Sequence, residues 1–465
     1  EEAEELLEAA SQEDELPNSF VETYNLGTGI SIITGENDLG VSFGYYDTDY
    51  GIPGRPGAGH HHGEEEGGED EGGEEEGEEL VSIGLEQFRA DMRGSFALPG
   101  PFERMNLRLG YSDYTHTEFE GDEVGTVFDV EGFEGRLEFS QRATENWRGA
   151  VGLQFLTRDF QAVGAEAFIL PNITDQYAIF ALQEIDFGAV QLEVAGRYER
   201  SDVDAPTLNV SRNFDSFSGA VGLTTELRSG LRIGVTGSRS ERAPSGTELY
   251  ADGPHIATQQ FEVGDIDLDT ESAWGVEVFA RDALGPFTFG VSLYANWFDD
   301  FIFLSGTGAE EDDLPVFVYG QQDARFYGVE AEVGVPLYNV EALQVRAEVG
   351  GDYIDAELDS GDNLPRIPPL SLFGAMELLT DSFDLRGEVE WVDDQTETAP
   401  FETPTDGHTF VNASVGWRPF GPENITLLAQ VRNIFDVTAR RHASFTKDFV
   451  PLSGRDIRVS AQFSF

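Results

Sequence analysis

The final eleven residues, RDIRVSAQFSF, alternate without interruption. Ile457, Val459, Ala461, Phe463 and Phe465 fall on one side of an extended chain, and Asp456, Arg458, Ser460, Gln462 and Ser464 on the other. Side chains of a strand point to opposite faces with period two. The segment therefore predicts a β-strand with one apolar and one polar face, a pattern no helix shares. The same alternation recurs at Val190, Leu192 and Val194, at Leu231, Ile233 and Val235, at Leu343, Val345, Ala347 and Val349, and at Leu385, Val389 and Trp391. Composition agrees, since 53 glycines, 35 phenylalanines and 12% aromatics suit strands and turns. The expectation is an all-β chain of about nineteen strands.

A soluble β-sandwich or β-helix could also alternate, but two features point elsewhere. The polar face carries full charges, such as Arg346 and Glu348 or Arg386, Glu388 and Glu390, which suits a wet interior. The connections also alternate in length. TGEN, LPGP, RSG, ALGP, LTDS and FGPEN are short turns, whereas 51–79, 163–174, 203–213, 243–268, 304–315, 358–366, 396–406 and 437–454 are long loops. Short turns on one rim and long loops on the other describe a transmembrane antiparallel β-barrel of the outer-membrane type, apolar towards lipid and polar towards the lumen. Tyr45, Tyr46, Tyr50, Tyr111 and Tyr114 near strand ends predict an interfacial girdle. If the last strand ends in the periplasm, every long loop is extracellular. No stretch approaches 18 consecutive apolar residues, so no transmembrane helix is expected. Nor is a signal peptide expected within the chain.

The formal net charge is −60, which excludes nucleic acid as a partner because phosphate binding needs a basic surface. It permits attraction of cations, and equally suits solubility or a salty medium. Of the 28 basic residues only Lys447 is a lysine. There is no cysteine, so disulfides and thiolate sites are excluded and any metal site must use His, Asp and Glu. No nucleophile–base constellation, P-loop or dinucleotide fingerprint stands in a suitable context. The chain reads as a non-enzyme without a catalytic cofactor.

Several stretches resemble TonB-dependent outer-membrane receptors, most closely the zinc-uptake type. These are RAPSGTELYADGPHIATQQFEVGD (Arg242–Asp265), FYGVEAEV (Phe326–Val333), DGHTFVNASVGW (Asp406–Trp417), VRNIFD (Val431–Asp436) and the terminal Phe465. The resemblance covers residues 20–465 and implies a 22-stranded barrel in the bacterial outer membrane, monomeric, embedded in lipid and lipopolysaccharide. It also implies a plug domain that couples to the TonB–ExbB–ExbD complex. Neither a plug nor the first three strands is read from these residues. Residues 1–19 are expected to be the remnant of an acidic extracellular loop.

Zn²⁺ takes imidazole nitrogen and carboxylate oxygen. His255 lies in the signature loop with Glu248, Asp252 and Glu262 close in sequence, and His408 begins a strand at the extracellular rim. His255, His408, Glu248 and Glu262 are the candidate ligands for zinc as transported cargo. A loop histidine bonded to backbone is the competing reading of His255. His116 and His442 read as rim residues. His60, His61 and His62 open the run GHHHGEEEGGEDEGGEEEGEE, whose glycines and like charges predict a mobile, solvated loop able to capture metal weakly. Haem or ferric-siderophore uptake is the alternative, because haem receptors share RAP…ELY and a histidine in that loop. A non-transporting surface barrel or adhesin is the alternative of another class.

Overall fold

The computed structural model describes residues 16–53, 81–121, 123–164, 166–228, 230–255, 257–311, 314–421 and 425–463. Nearly all of the regular structure is β. In chain order the strands are β1 (Val21–Thr34), β2 (Asn37–Gly51), β3 (Val81–Ala97), β4 (Phe102–Glu120), β5 (Glu123–Gln141), β6 (Trp147–Gly164), β7 (Asn172–Asp186), β8 (Gln191–Ala205), β9 (Val210–Arg228), β10 (Leu231–Arg242), β11 (Asp252–His255) and β12 (Gln260–Val263). They continue as β13 (Glu271–Leu284), β14 (Phe287–Glu311), β15 (Leu314–Val340), β16 (Leu343–Leu358), β17 (Ser371–Leu379), β18 (Phe383–Val392), β19 (His408–Trp417), β20 (Ile425–Arg432) and β21 (Asp456–Phe463). A single-turn helix, α1 (Gly246–Tyr250), precedes β11. No helix among the described residues is long and apolar enough to cross a membrane.

Each long strand pairs antiparallel with the next, from β1 to β10, then β10 with β13, then on to β21. The two short strands β11 and β12 form a hairpin outside this wall. That leaves nineteen wall strands of the twenty-one, as the alternation predicts. Among the described residues β1 pairs only with β2 and β21 only with β20, and almost all their residues are exposed.

Register carries the two faces intact round the wall. Val459 stands opposite Ala429, which stands opposite Val415, then Leu385, Leu378 and Val345. The neighbouring row is Arg458, Gln430, Ser414, Arg386, Glu377 and Arg346. One side is apolar and the other polar, the segregation a lipid-embedded barrel requires. On the apolar side Tyr45, Phe88, Phe133, Tyr177, Phe217, Trp274, Trp297, Tyr327, Tyr353 and Trp391 are all exposed and form an aromatic girdle. Two positions further towards the extracellular ends, the same face carries Asp47, Glu86, Glu131, Asp175, Asp215, Asp299 and Asp355. Tyr111 joins the girdle, opposite Ala90. Tyr46, Tyr50 and Tyr114, expected there too, fall on the interior face because they occupy even positions in odd-facing strands.

Three of the long loops, 163–174, 203–213 and 304–315, are shorter than the sequence suggests, and those at 358–366, 396–406 and 437–454 are longer. β14 and β15 continue as a ribbon past the wall, with bulges between Phe298 and Phe301 and between Gly306 and Glu310. Residues 304–315, read as a loop, are mostly strand. The extracellular ends also hold the buried core. Val203, Ala205, Phe214, Leu249, Tyr250, Leu268 and Ile302 pack together, beside a second group of Phe128, Ala162, Phe168, Ile169 and Ala251.

Candidate metal site at the extracellular mouth

The signature loop is fixed by local chemistry. Ser245 caps α1: its hydroxyl accepts from the Glu248 amide (3.2 Å), and the Glu248 carboxylate accepts from the Ser245 amide (2.7 Å). This reciprocal pair satisfies amides that a helix start leaves free. Arg242 Nη1 donates to the same carboxylate at 2.8 Å, and Tyr250 donates its hydroxyl to the Val203 carbonyl at 2.9 Å. The chain then enters the β11–β12 hairpin. At Gly253 a Cβ would sit 3.1 Å from the Phe168 Cα, so glycine eases the close approach to the β6–β7 loop. β12 also runs parallel to β15, with Phe261, Glu262 and Val263 opposite Val316, Phe317 and Val318.

This framework brings His255 and Glu262 together, with His255 Nδ1 2.8 Å from Glu262 Oε1. The imidazole stacks on Phe168, ring centres 4.1 Å apart at 14°. Glu262 is buried. It accepts further hydrogen bonds from Thr258 (3.4 Å) and from the Tyr319 hydroxyl (3.2 Å). Burial and the adjoining Glu262 carboxylate push the Tyr319 phenol well above its usual range, keeping it a donor. A carboxylate on Nδ1 with Nε2 on the far side of the ring is the arrangement that orients metal-ligating histidines.

The other candidates lie elsewhere. Glu248 is occupied by the helix cap and Arg242. His408 faces the lumen from the start of β19, opposite Val392 and against the Phe410 ring. It lines a cavity of about 760 Å³ with Arg386, Arg432, Arg440, Arg441 and Arg458. Its buried Nδ1 has no hydrogen-bond partner among the described residues. His60, His61 and His62 lie outside the described residues. Among those described, no three His, Asp or Glu side chains stand as a finished metal shell.

A second histidine site escaped the sequence. His442 is buried, with Nε2 3.2 Å from Glu402 Oε1. Lys447 Nζ donates to the same oxygen at 2.8 Å, and the Arg366 and Ala399 amides donate to the carboxylate at 2.9 and 3.0 Å. Although burial opposes ionisation, the donors from His442 and Lys447 prevail and hold the Glu402 carboxyl down at about 2. Three loops, around 366, 402 and 447, are thereby tied together. The partners lie about forty residues apart, a separation no local motif reveals.

A sequence model described as TonB dependent receptor-like, beta-barrel matches residues 17–434. The chain belongs to this family. Solved structures share the receptor's fold at low identity. The copper transporter OprC superposes with a TM-score of 0.80 at 16% identity, over 96% of this chain and 72% of its own. The FrpB iron transporter from Neisseria meningitidis (F3-3 variant) gives 0.74 at 10%, over 96% and 72%. The ferric-catecholate import receptor Fiu from K12 E. coli gives 0.68 at 15%, over 96% and 75%. This receptor barrel thus shares one architecture with proteins named for different metals, and the cargo must be argued from its own donors.

Proposed function

We propose that this receptor barrel takes up a scarce metal across the outer membrane, most concretely zinc, with His255 as a ligand at the mouth. The observation that carries this is the Glu262–His255 pair on the β11–β12 hairpin, in which Nδ1 faces the carboxylate and Nε2 is the far ring nitrogen. Glu262 acts as the orienting partner, and the remaining ligands come from outside this pair. Copper(I), by contrast, favours thiolate and thioether donors. The chain has no cysteine. Its three methionines are Met92, Met105 and Met376, in rows shared with Val41, Phe139 and Ala347 on the lipid side. Coupling to the TonB–ExbB–ExbD complex would run through a plug outside the described residues.

A second reading is uptake of an anionic metal chelate such as a siderophore. The lumen cavity favours it, with five arginines against six carboxylates in its lining, in a chain of 28 basic and 88 acidic residues. Calorimetric zinc titration of the barrel without residues 60–79 tests the first reading. Wild type should bind at about pH 7.5 and weaken at about pH 5.5, on either side of histidine's reference value near 6.5. His255→Ala should bind weakly at both. Equal binding by the two proteins at both pH values removes His255 as a ligand.

A further inference from the structure

Three loops meet over the lumen cavity. They follow β16, β18 and β20, and each supplies part of the lining: Pro368 and Pro369, Thr405 and Asp406, and Arg441 with His442. Glu402 pins the same three together. It belongs to the second, accepts from the Arg366 amide of the first and pairs with Lys447 of the third. Other bonds cross between them. Asn363 Nδ2 donates to the Thr398 carbonyl at 3.3 Å, and Thr405 Oγ1 lies 3.0 Å from His442 Nδ1. The Arg366 guanidinium stacks over Phe445, with Cζ 4.2 Å from the ring centre. The loops therefore roof the cavity as one body.

The roof is held under strain. Arg366 has a φ of +61° and Phe401 of +63°. This is the left-handed region, where a side chain crowds its own backbone. Both positions adjoin Glu402, Arg366 through its amide and Phe401 in sequence. Such conformations persist only where the surroundings over-determine them. Here the bonds to Glu402 do so, and its own amide donates to the Ala399 carbonyl at 3.1 Å. Phe401 also reaches away from the roof. Its ring lies across Gly308 at the tip of the β14–β15 ribbon, where a Cβ would collide with it, and a Cβ at Gly306 would stand 3.4 Å from the Phe401 Cβ. We infer that the three loops form a strained lid over the lumen cavity, that Glu402 is its catch, and that lid and ribbon tip are released together when the catch is freed. Stored strain favours the open state, so the lid opens more readily than its buried contacts alone would set. That suits a mouth which must admit a ligand and close behind it, whichever cargo it carries.

The test is hydrogen exchange, read by mass spectrometry, on the 465-residue chain in detergent. Phe401→Ala and Phe401→Gly both lose the ring, and Arg366→Ala and Arg366→Gly both lose the stack. Alanine keeps the left-handed strain and glycine removes it. At each position the glycine variant should therefore exchange about threefold to tenfold more slowly than the alanine variant across 396–406 and 437–454. An unstrained loop gives the reverse order, because glycine adds freedom to the open state. Glu402→Gln should accelerate exchange about tenfold or more in these loops and at the ribbon tip, 304–311, together. Phe401→Ala should accelerate the tip with the catch intact, which keeps the coupling testable if Glu402→Gln misfolds. Alanine better protected than glycine at either position overturns the strained lid. A ribbon tip that keeps wild-type exchange in both Glu402→Gln and Phe401→Ala overturns the joint release.

Discussion

Two buried glutamates sit at the extracellular mouth, each beside a histidine, and their surroundings differ in kind. Glu402 faces Lys447, His442 and two backbone amides. Its charge is matched, and it ties three loops. Glu262 faces His255, Thr258 and Tyr319, with no lysine or arginine bonded to it among the described residues. Its bonded partners are neutral donors and one imidazole, and the Arg366 guanidinium acts on it only through space. A carboxylate matched by a fixed ammonium has no use for another cation. One bonded to a ring and to hydroxyls, with no ammonium on it, polarises that ring and prepares its far nitrogen for a metal. The first site is built for holding loops, the second for binding.

The largest way to break this comparison is Lys447→Met. Removing one partner of a buried pair costs about 3–5 kcal/mol, because the remaining charge is stranded. Hydrogen exchange in the 437–454 segment should accelerate by about two to four powers of ten, with zinc binding at His255 unchanged. Slow exchange throughout would show that the loops are held by something other than this pair.

Acid sharpens the contrast next. Glu402 has a native value of about 2 against a reference near 4.3, so its contribution is complete above about pH 4.3 and is lost as pH falls towards 2, amounting to about 3 kcal/mol. Protection of the tied loops, taken relative to the intrinsic exchange rate at each pH, should stay flat from neutral pH to about 5 and fall only below about 4. The zinc site should weaken over a range of its own, as protons compete with the metal for the imidazole. A single shared midpoint would erase the distinction.

Glu262→Gln should then weaken zinc about tenfold to a hundredfold, the usual effect of losing a ligand's orienting partner. Glu402→Gln should leave zinc affinity alone. The smallest effect belongs to residues 60–79: deleting them should raise the zinc concentration needed for uptake by a complete receptor without abolishing transport. An unchanged uptake curve would reduce that stretch to solvated charge.

What sequence alone disclosed follows from the range of the interactions. Wall strands are read from neighbours two residues apart, so their number and faces were legible from runs such as Leu343–Val349. The β14–β15 ribbon was missed because Gly306, Gly308 and the acids at 310–313 look like a loop. Pairing of His255 with Glu262 was within reach, seven residues apart. Glu248 looked like a ligand but belongs to a cap, a role announced by Ser245 three residues before it. Glu118 and Glu120 were visible as acids spaced by two, and their burial was not. Glu402, His442 and Lys447 meet only because two loops fold over one another.

Lys447 carries one last consequence. It is the chain's sole lysine, and its ammonium is shut inside the Glu402 pair. Amine-directed reagents, the common means of tagging proteins on a bacterial surface, therefore have a single side-chain target here, and it is hidden while the loops are tied. Within these 465 residues such a reagent finds no open lysine while the loops are tied. The same scarcity makes the residue a clean reporter: any acylation of Lys447 in the folded barrel counts the moments at which the loops come apart.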